Sequence, residues 1–327
     1  MRQTLFARWS STFPVHPPPP LQNLSLKGLI FLEAKSAILH EQLKARVLEG
    51  RREPCDVSFA DFDDVKFRVL CTAECPNIIK VSMFMRQAAE LKAMGSKELL
   101  DRLFPGMEAT PDQDYNVAIE FDCDRLPGDA AAFLESVCML KRHVLSGPMH
   151  RAFSALVAKK SEGMPLMRID YRRGESIFVC PSATKIVVIF LVDFVDVTDK
   201  ALAKVFLQEF MEAQRSVRMA PPVSYSPKAP PSELAGLAMK HSPDAAGFLS
   251  FALEEIHVKG ERLENALTLL TGFRNYLHYH IKCSKTYLHM RMRKRVAGWL
   301  QVLNRAIPER ADSADKKTAQ GKTFVRK

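Results

Sequence analysis

The apolar positions of this chain follow two spacings in turn. From Leu26, the residues Leu29, Ile30, Ala34, Ile38, Leu43 and Val47 fall mostly at steps of three and four up to Gly50, which predicts an amphipathic helix. The next run alternates instead: CDVSFADFDDVKFRVLC and NIIKVSMFM predict three strands, the first two joined at DFDD, where Asp61, Asp63 and Asp64 support a hairpin turn. Helical spacing returns in RQAAELKAMGSKELLDRLF as far as Pro105, and YNVAIEFDC predicts one more strand before a turn at Pro127 and Gly128. The order then repeats. One helix is expected over 129–160 on Phe133, Val137, Leu140, Val144, Phe153 and Leu156, bent at Gly147 and Pro148. The strands MPLMRIDY, SIFVCP and KIVVIFLVDF follow, then the helix KALAKVFLQEFMEAQR, a proline-rich stretch from Pro221 to Pro231 given no strand, and the strand GFLSFALEE. Lys80 of KVSMFM and Lys185 of KIVVIF hold the same slot in each half, so a unit of helix, three strands, helix and strand is read as duplicated.

Strand runs joined by tight turns imply antiparallel sheets with helices on one face. The expected fold class is therefore α+β: two similar two-layer α/β domains followed by a long C-terminal helix. The expected boundaries are an N-terminal extension over 1–25, domains over 26–128 and 129–258, the helix over 259–308 and a basic tail over 309–327.

That last helix carries the candidate chemistry. Helical spacing runs without proline from Arg262 until Pro308, a rod of roughly 65 Å at about 1.5 Å per residue. One stripe holds Leu270, Phe273, Leu277, Ile281, Ser284, Leu288, Met292, Val296, Trp299 and Leu303, at steps of three or four. A second, turned about a quarter of the way round, holds His278, Lys282, Lys285, His289 and Arg293. His278 and His280 stand two apart and so face different ways, while His280 and Cys283 lack a neighbouring carboxylate to complete a metal site, so no metal or other cofactor is expected. Basic residues at every turn exclude a membrane span, although a helix lying on an anionic surface is compatible with the pattern.

Charge sharpens this picture. The chain of 327 residues has a formal net charge of +10, yet no Asp or Glu occurs between Glu264 and Glu309. A partner with an acidic surface is expected, drawn with a salt-dependent on-rate. Seven scattered cysteines without a C-x-x-C pair fit free thiols in a reducing compartment, with the cytoplasm as the expected location. The arm MRQTLFARWSSTFPVHPPPP reads either as a disordered extension or as a targeting sequence cut short by its prolines. GKTF at Gly321 to Phe324 echoes the end of a phosphate-binding loop, but Lys316 stands where the first glycine belongs, and neither G-x-S-x-G nor H-E-x-x-H occurs, so no enzyme is expected.

Two binding readings remain. A nucleic-acid reader would place Lys and Arg on phosphates and stack bases on Tyr276, Tyr279 or Tyr287; a protein scaffold would bury the apolar stripe in a partner and show the basic stripe to an acidic surface. The unbroken apolar stripe favours the scaffold.

FRNYLHYHIKCSKTYLHMRMR resembles the C-terminal signature of the family of the 34-kilodalton subunit of the actin-related protein 2/3 complex. VSFADFDDV, AAELKAMGSKELLDRLFPG, YNVAIEFD, MLKRH, KVFLQEFMEAQR, APP followed by PPSEL, QVLNRAIP and GKTF resemble that family's segments in the same order, from about Leu26 to Lys327. The resemblance implies two similar α/β domains and a long helix, and pairing with the 20-kilodalton subunit as the core that holds the two actin-related proteins. It also implies basic contacts with the side of a mother actin filament and no catalysis. On that basis the expected filament-facing residues are His278, Lys282, Lys285, His289, Arg291, Arg293, Lys294 and Arg295. Those expected to face a partner subunit are Phe273, Leu277, Ile281, Leu288, Met292, Val296, Trp299 and Leu303. Neither a nucleic-acid partner nor a membrane span is expected. Three departures stand out: the arm before Leu21 has no counterpart, VDFVDVTDK is less acidic than the family's version, and Asp64 replaces a common Gly, which argues against left-handed backbone there.

Overall fold

The computed structural model describes residues 34–172, 174–214, 217, 219–237 and 244–306. The described parts of Met1–Ile169, Pro181–Ile186 and Glu254–Tyr276 form one compact unit, and those of Asp170–Cys180, Val187–Leu253 and Leu277–Lys327 a second. The two sheets are antiparallel, one of four strands and one of five, with helices and a long C-terminal helix, so the fold is α+β.

The first helix, α1, spans Ala37–Val47. Leu26, Leu29 and Ile30 lie outside the described residues, and Ala34 precedes the helix because the chain turns helical only after Ser36, whose side chain accepts the Leu39 N–H. Strands β1 (Cys55–Ala60), β2 (Lys66–Cys71), β3 (Ile78–Phe84) and β4 (Val117–Asp122) then pair in sequence order. Their register aligns Val57, Val69, Val81 and Ile119 across the sheet, and beside them Phe59, Phe67, Met83 and Val117, giving two apolar rungs on one face. On the other face Asp112 draws together Lys80 Nζ at 2.6 Å and Ser82 Oγ at 2.9 Å.

The β1–β2 hairpin corrects one expectation. Asp63 and Asp64 both have left-handed backbone, with φ of 69° and 58°. Aspartate tolerates this conformation better than most non-glycine residues, and the turn is held from outside: Lys141 Nζ donates to the Phe62 carbonyl at 2.8 Å and lies 3.4 Å from both Asp61 and Asp63.

Two expected helices are interrupted. After β3 the chain forms α2 (Ala88–Leu91), a π-helical turn over Lys92–Ser96 and α3 (Lys97–Leu103), with Gly95 at φ 123° making the kink. The helix expected over 129–160 is two, α4 (Ala130–Cys138) and α5 (Leu140–Val157), separated at Met139, and α5 is continuous through Gly147 and Pro148. Pro148 lies inside α5 and cannot donate to the carbonyl of Val144 one turn back; Ser96 Oγ donates to it instead, at 2.6 Å. Gly147 makes this approach possible, since a Cβ there would stand 2.2 Å from Ser96 Oγ and 2.5 Å from Ser96 N. The kink at Gly95–Ser96 and the Gly–Pro pair of α5 are thus one packing solution.

In the second sheet β5 (Met167–Arg172), β6 (Glu175–Pro181), β7 (Lys185–Val192), β8 (Val223–Ser226) and β9 (Gly247–Glu254) lie in the order β5-β6-β7-β9-β8. Helix α6 (Val197–Gln214) follows β7, and the short α7 (Glu255–Val258) and long α8 (Arg262–Ala306) follow β9. Strand β8 is the element missed in the proline-rich stretch. Among the described residues it pairs with β9 alone, at the edge of the sheet; Pro222, just before it, still accepts the Ala252 N–H at 2.9 Å, and a proline at an edge costs no ladder donor on the open side. Without it, the order β1-β2-β3-β4 recurs as β5-β6-β7-β9, matching the duplication read from sequence.

Candidate functional site

Helix α8 is 45 residues long, from Arg262 to Ala306, as its unbroken period predicted. Its root is fixed in the first unit by Arg142 of α5. That buried guanidinium donates to the Glu264 carboxylate at 2.6 Å, the Glu264 carbonyl at 2.9 Å and Thr268 Oγ1 at 3.2 Å.

The apolar stripe changes character along the rod. Leu270, Phe273, Leu277 and Ile281 are buried by the chain itself, Leu277 completely. Phe273, Leu277 and Ile281, expected to face a partner, are therefore already covered. Leu288, Met292, Val296, Trp299 and Leu303 are exposed, Trp299 to 74%. From Thr286 to Arg305 every residue is exposed, so Lys285 is the last described residue of α8 that is not.

The change occurs at a cluster of charges that periodicity did not reveal. Asp199, in the first turn of α6 and 2% exposed, takes Lys282 Nζ on Oδ2 and Lys285 Nζ on Oδ1, the latter at 3.0 Å. Lys285 also lies 3.0 Å from Asp196 Oδ1. Asp196 caps α6 by accepting the N–H groups of Thr198 at 2.8 Å and Asp199 at 3.0 Å. Burial alone would raise the Asp199 carboxyl, but the bonds from Lys282 and Lys285 outweigh it and hold it below the usual carboxylate range. The Asp199 N–H and Lys285 likewise hold Asp196 down at about 2. Two aromatic contacts flank the cluster: His278 stacks on Phe194 with centroids 6.2 Å apart, and His280 on Phe206 at 5.8 Å.

The basic residues thus separate into two groups. His278, Lys282 and Lys285 are engaged with the loop before α6 and with its first turn, Lys282 while still exposed, whereas His289, Arg291, Arg293, Lys294 and Arg295 lie on the stretch beyond Lys285 where every residue is exposed. Arg291 Nη1 donates to Tyr287 Oη at 3.1 Å. At about 100° per residue, Arg291, Arg293, Lys294 and Arg295 point round most of the helix rather than along one stripe. The exposed half of α8 therefore offers an apolar seam within a girdle of positive charge. Among the described residues no three His, Cys, Asp or Glu side chains converge as a metal site, and no helix is long and apolar enough to cross a membrane.

Sequence reasoning could have found Asp196, since D-V-T-D before a helical run reads as an N-cap with a second acid three residues on. It could not have found the lysines that meet this acidic pair, Lys282 on Asp199 and Lys285 on both, more than 80 residues away.

Residues 81–310 match the family model described as Arp2/3 complex, 34 kD subunit p34-Arc. The Schizosaccharomyces pombe protein named actin-related protein 2/3 complex subunit 2 is 35% identical over 319 residues, covering 91% of this chain and 100% of the relative. The Dictyostelium discoideum protein of the same name is 36% identical over 299 residues, covering 90% of this chain and 99% of the relative.

Proposed function

We propose, from the premise that the chain belongs to the Arp2/3 complex 34 kD subunit p34-Arc family, that it acts as a non-catalytic core subunit of that complex in the cytoplasmic actin cytoskeleton. In this role it scaffolds filament nucleation and branching. The 20-kilodalton subunit covers the seam of Leu288, Met292, Val296, Trp299 and Leu303, and Phe273, Leu277 and Ile281 hold the same helix in the body of the chain. Together they form the core on which the two actin-related proteins are held. The acidic side of an actin filament meets the basic residues: His289, Arg291, Arg293, Lys294 and Arg295 directly, with His278, Lys282 and Lys285 fastening the helix behind them.

The observation that carries this reading is the exposure of five large apolar residues in register on one helix. Such a patch in a soluble protein marks a surface made for another protein, and its continuity favours a protein seam over a nucleic-acid groove. The acid-free run around it supplies the charge that an acidic filament would recognise.

Trp299→Asp with Leu303→Asp tests the seam. The chain is expected to fold and lose co-purification with the other subunits; undiminished co-purification would remove the seam from assembly. Arg293→Glu with Lys294→Glu tests the filament face in the assembled complex, where weaker, less salt-sensitive co-sedimentation with filaments is expected and unchanged co-sedimentation would exclude both residues.

A further inference from the structure

We propose that Asp199, with Asp196, is a positioning residue for the exposed half of α8: its buried carboxylate fixes Lys282 and Lys285 and so sets the bearing of the filament-facing residues beyond them. This rests on the filament reading above for its functional consequence, though not for its geometry.

Three observations converge. Lys282 and Lys285 are one turn apart on α8, so both ammonium groups reach the same point, and Asp199 presents one oxygen to each. Asp199 is 2% exposed, and a buried carboxylate requires its counter-ions far more than a surface one does. The cluster also stands where α8 passes from covered to exposed, Lys285 being the last described residue of the helix that is not exposed. A helix held at that point cannot pivot there, because turning it would break both ion pairs and leave Asp199 buried without them. Asp196 makes the anchor stiff, since the carboxylate that meets Lys285 also caps the first turn of α6. Asp199 itself does not meet the filament. It acts through the two lysines.

The sign of the effect separates positioning from simple charge. Asp199→Asn raises the net charge from +10 by one, so electrostatics alone makes binding to an acidic filament tighter, whereas loss of positioning makes it weaker. In the assembled complex carrying Asp199→Asn, filament affinity is expected to fall at least about five-fold, the lower end of usual coupling between sites. Hydrogen exchange in the segment 280–290 is expected to quicken while that of β5 to β9 stays unchanged. Binding as tight as the parent's, or exchange in 280–290 unaltered, would overturn the proposal. If Asp199→Asn fails to assemble, Lys282→Gln with Lys285→Gln removes the same ion pairs from the exposed side and is expected to give the same faster exchange; unaltered exchange there would also overturn it. The Arg293→Glu, Lys294→Glu complex in the same assay keeps the two claims apart. Should it bind filaments normally, Arg293 and Lys294 are excluded from the filament face, while the exchange measurement still decides whether Asp199 positions the helix.

Discussion

Ser96 and Gly147 show how a local oddity in sequence becomes legible only through its partner. A Gly–Pro pair inside a helical run reads as a bend, yet α5 runs through it because Ser96 replaces the donor that Pro148 lacks. Ser96→Ala is expected to leave the buried Val144 carbonyl unsatisfied and to lose about 1–3 kcal/mol. Gly147→Ala should cost more, since its Cβ would collide with Ser96 backbone atoms at 2.5 Å. Thermal melting of the two variants checks both, and parent-like stability in Gly147→Ala would contradict the packing account. His143 gives a pH signature. Its ring nitrogens lie 3.2 Å from Arg142 Nη1 and 3.4 Å from Ser136 Oγ, and burial, with the Arg142 charge, pushes its pKa down to about 3 from an ordinary 6.5. A group held neutral in the folded state contributes stability that is present above the unfolded value and is lost as pH falls toward the folded one. Melting temperature should therefore decline between about pH 6.5 and 3, and His143→Gln should flatten that decline. The lysine cluster behaves differently. Asp196, at about 2 against an ordinary 3.8, keeps its contribution through neutral pH and loses it only on acidification from about 3.8 down to about 2.

At the scale of elements, α8 was the most legible feature of the chain. Its length follows from a hydrophobic period unbroken by proline, and the strands β1 to β7 follow from alternation or short apolar runs. What periodicity could not reveal was coverage. Leu277 and Trp299 belong to one stripe, yet the first is fully buried and the second 74% exposed. They predict opposite outcomes. Leu277→Ala should destabilise the chain itself by about 2–5 kcal/mol. Trp299→Ala should leave its melting within about 0.5 kcal/mol of the parent and weaken subunit association by about 2 kcal/mol or more, as an aromatic anchor at an interface does. Parent-like association after Trp299→Ala would remove it from the seam. Strand β8 and the break at Met139 were not legible, because an edge strand needs half the ladder and a helix break is settled by what packs against it rather than by its own residues.

For the whole molecule, a concentrated positive field and an uncovered apolar seam on one helix give two demands that one partner cannot readily meet: the seam calls for an apolar surface, the girdle for an acidic one. The purified chain without its partners is accordingly expected to associate or precipitate in sizing chromatography, and a stable monomer at high concentration would count against an uncovered seam. Oxidative footprinting tests the central claim most directly, because Met290, Met292 and Trp299 are all exposed in the chain itself while helical geometry sets Met290 opposite the other two. In the assembled complex, Met292 and Trp299 should be strongly protected and Met290 should stay reactive. Equal reactivity of all three, or protection of Met290 alone, would contradict the account of α8 as a rod whose apolar side is covered by a neighbouring subunit.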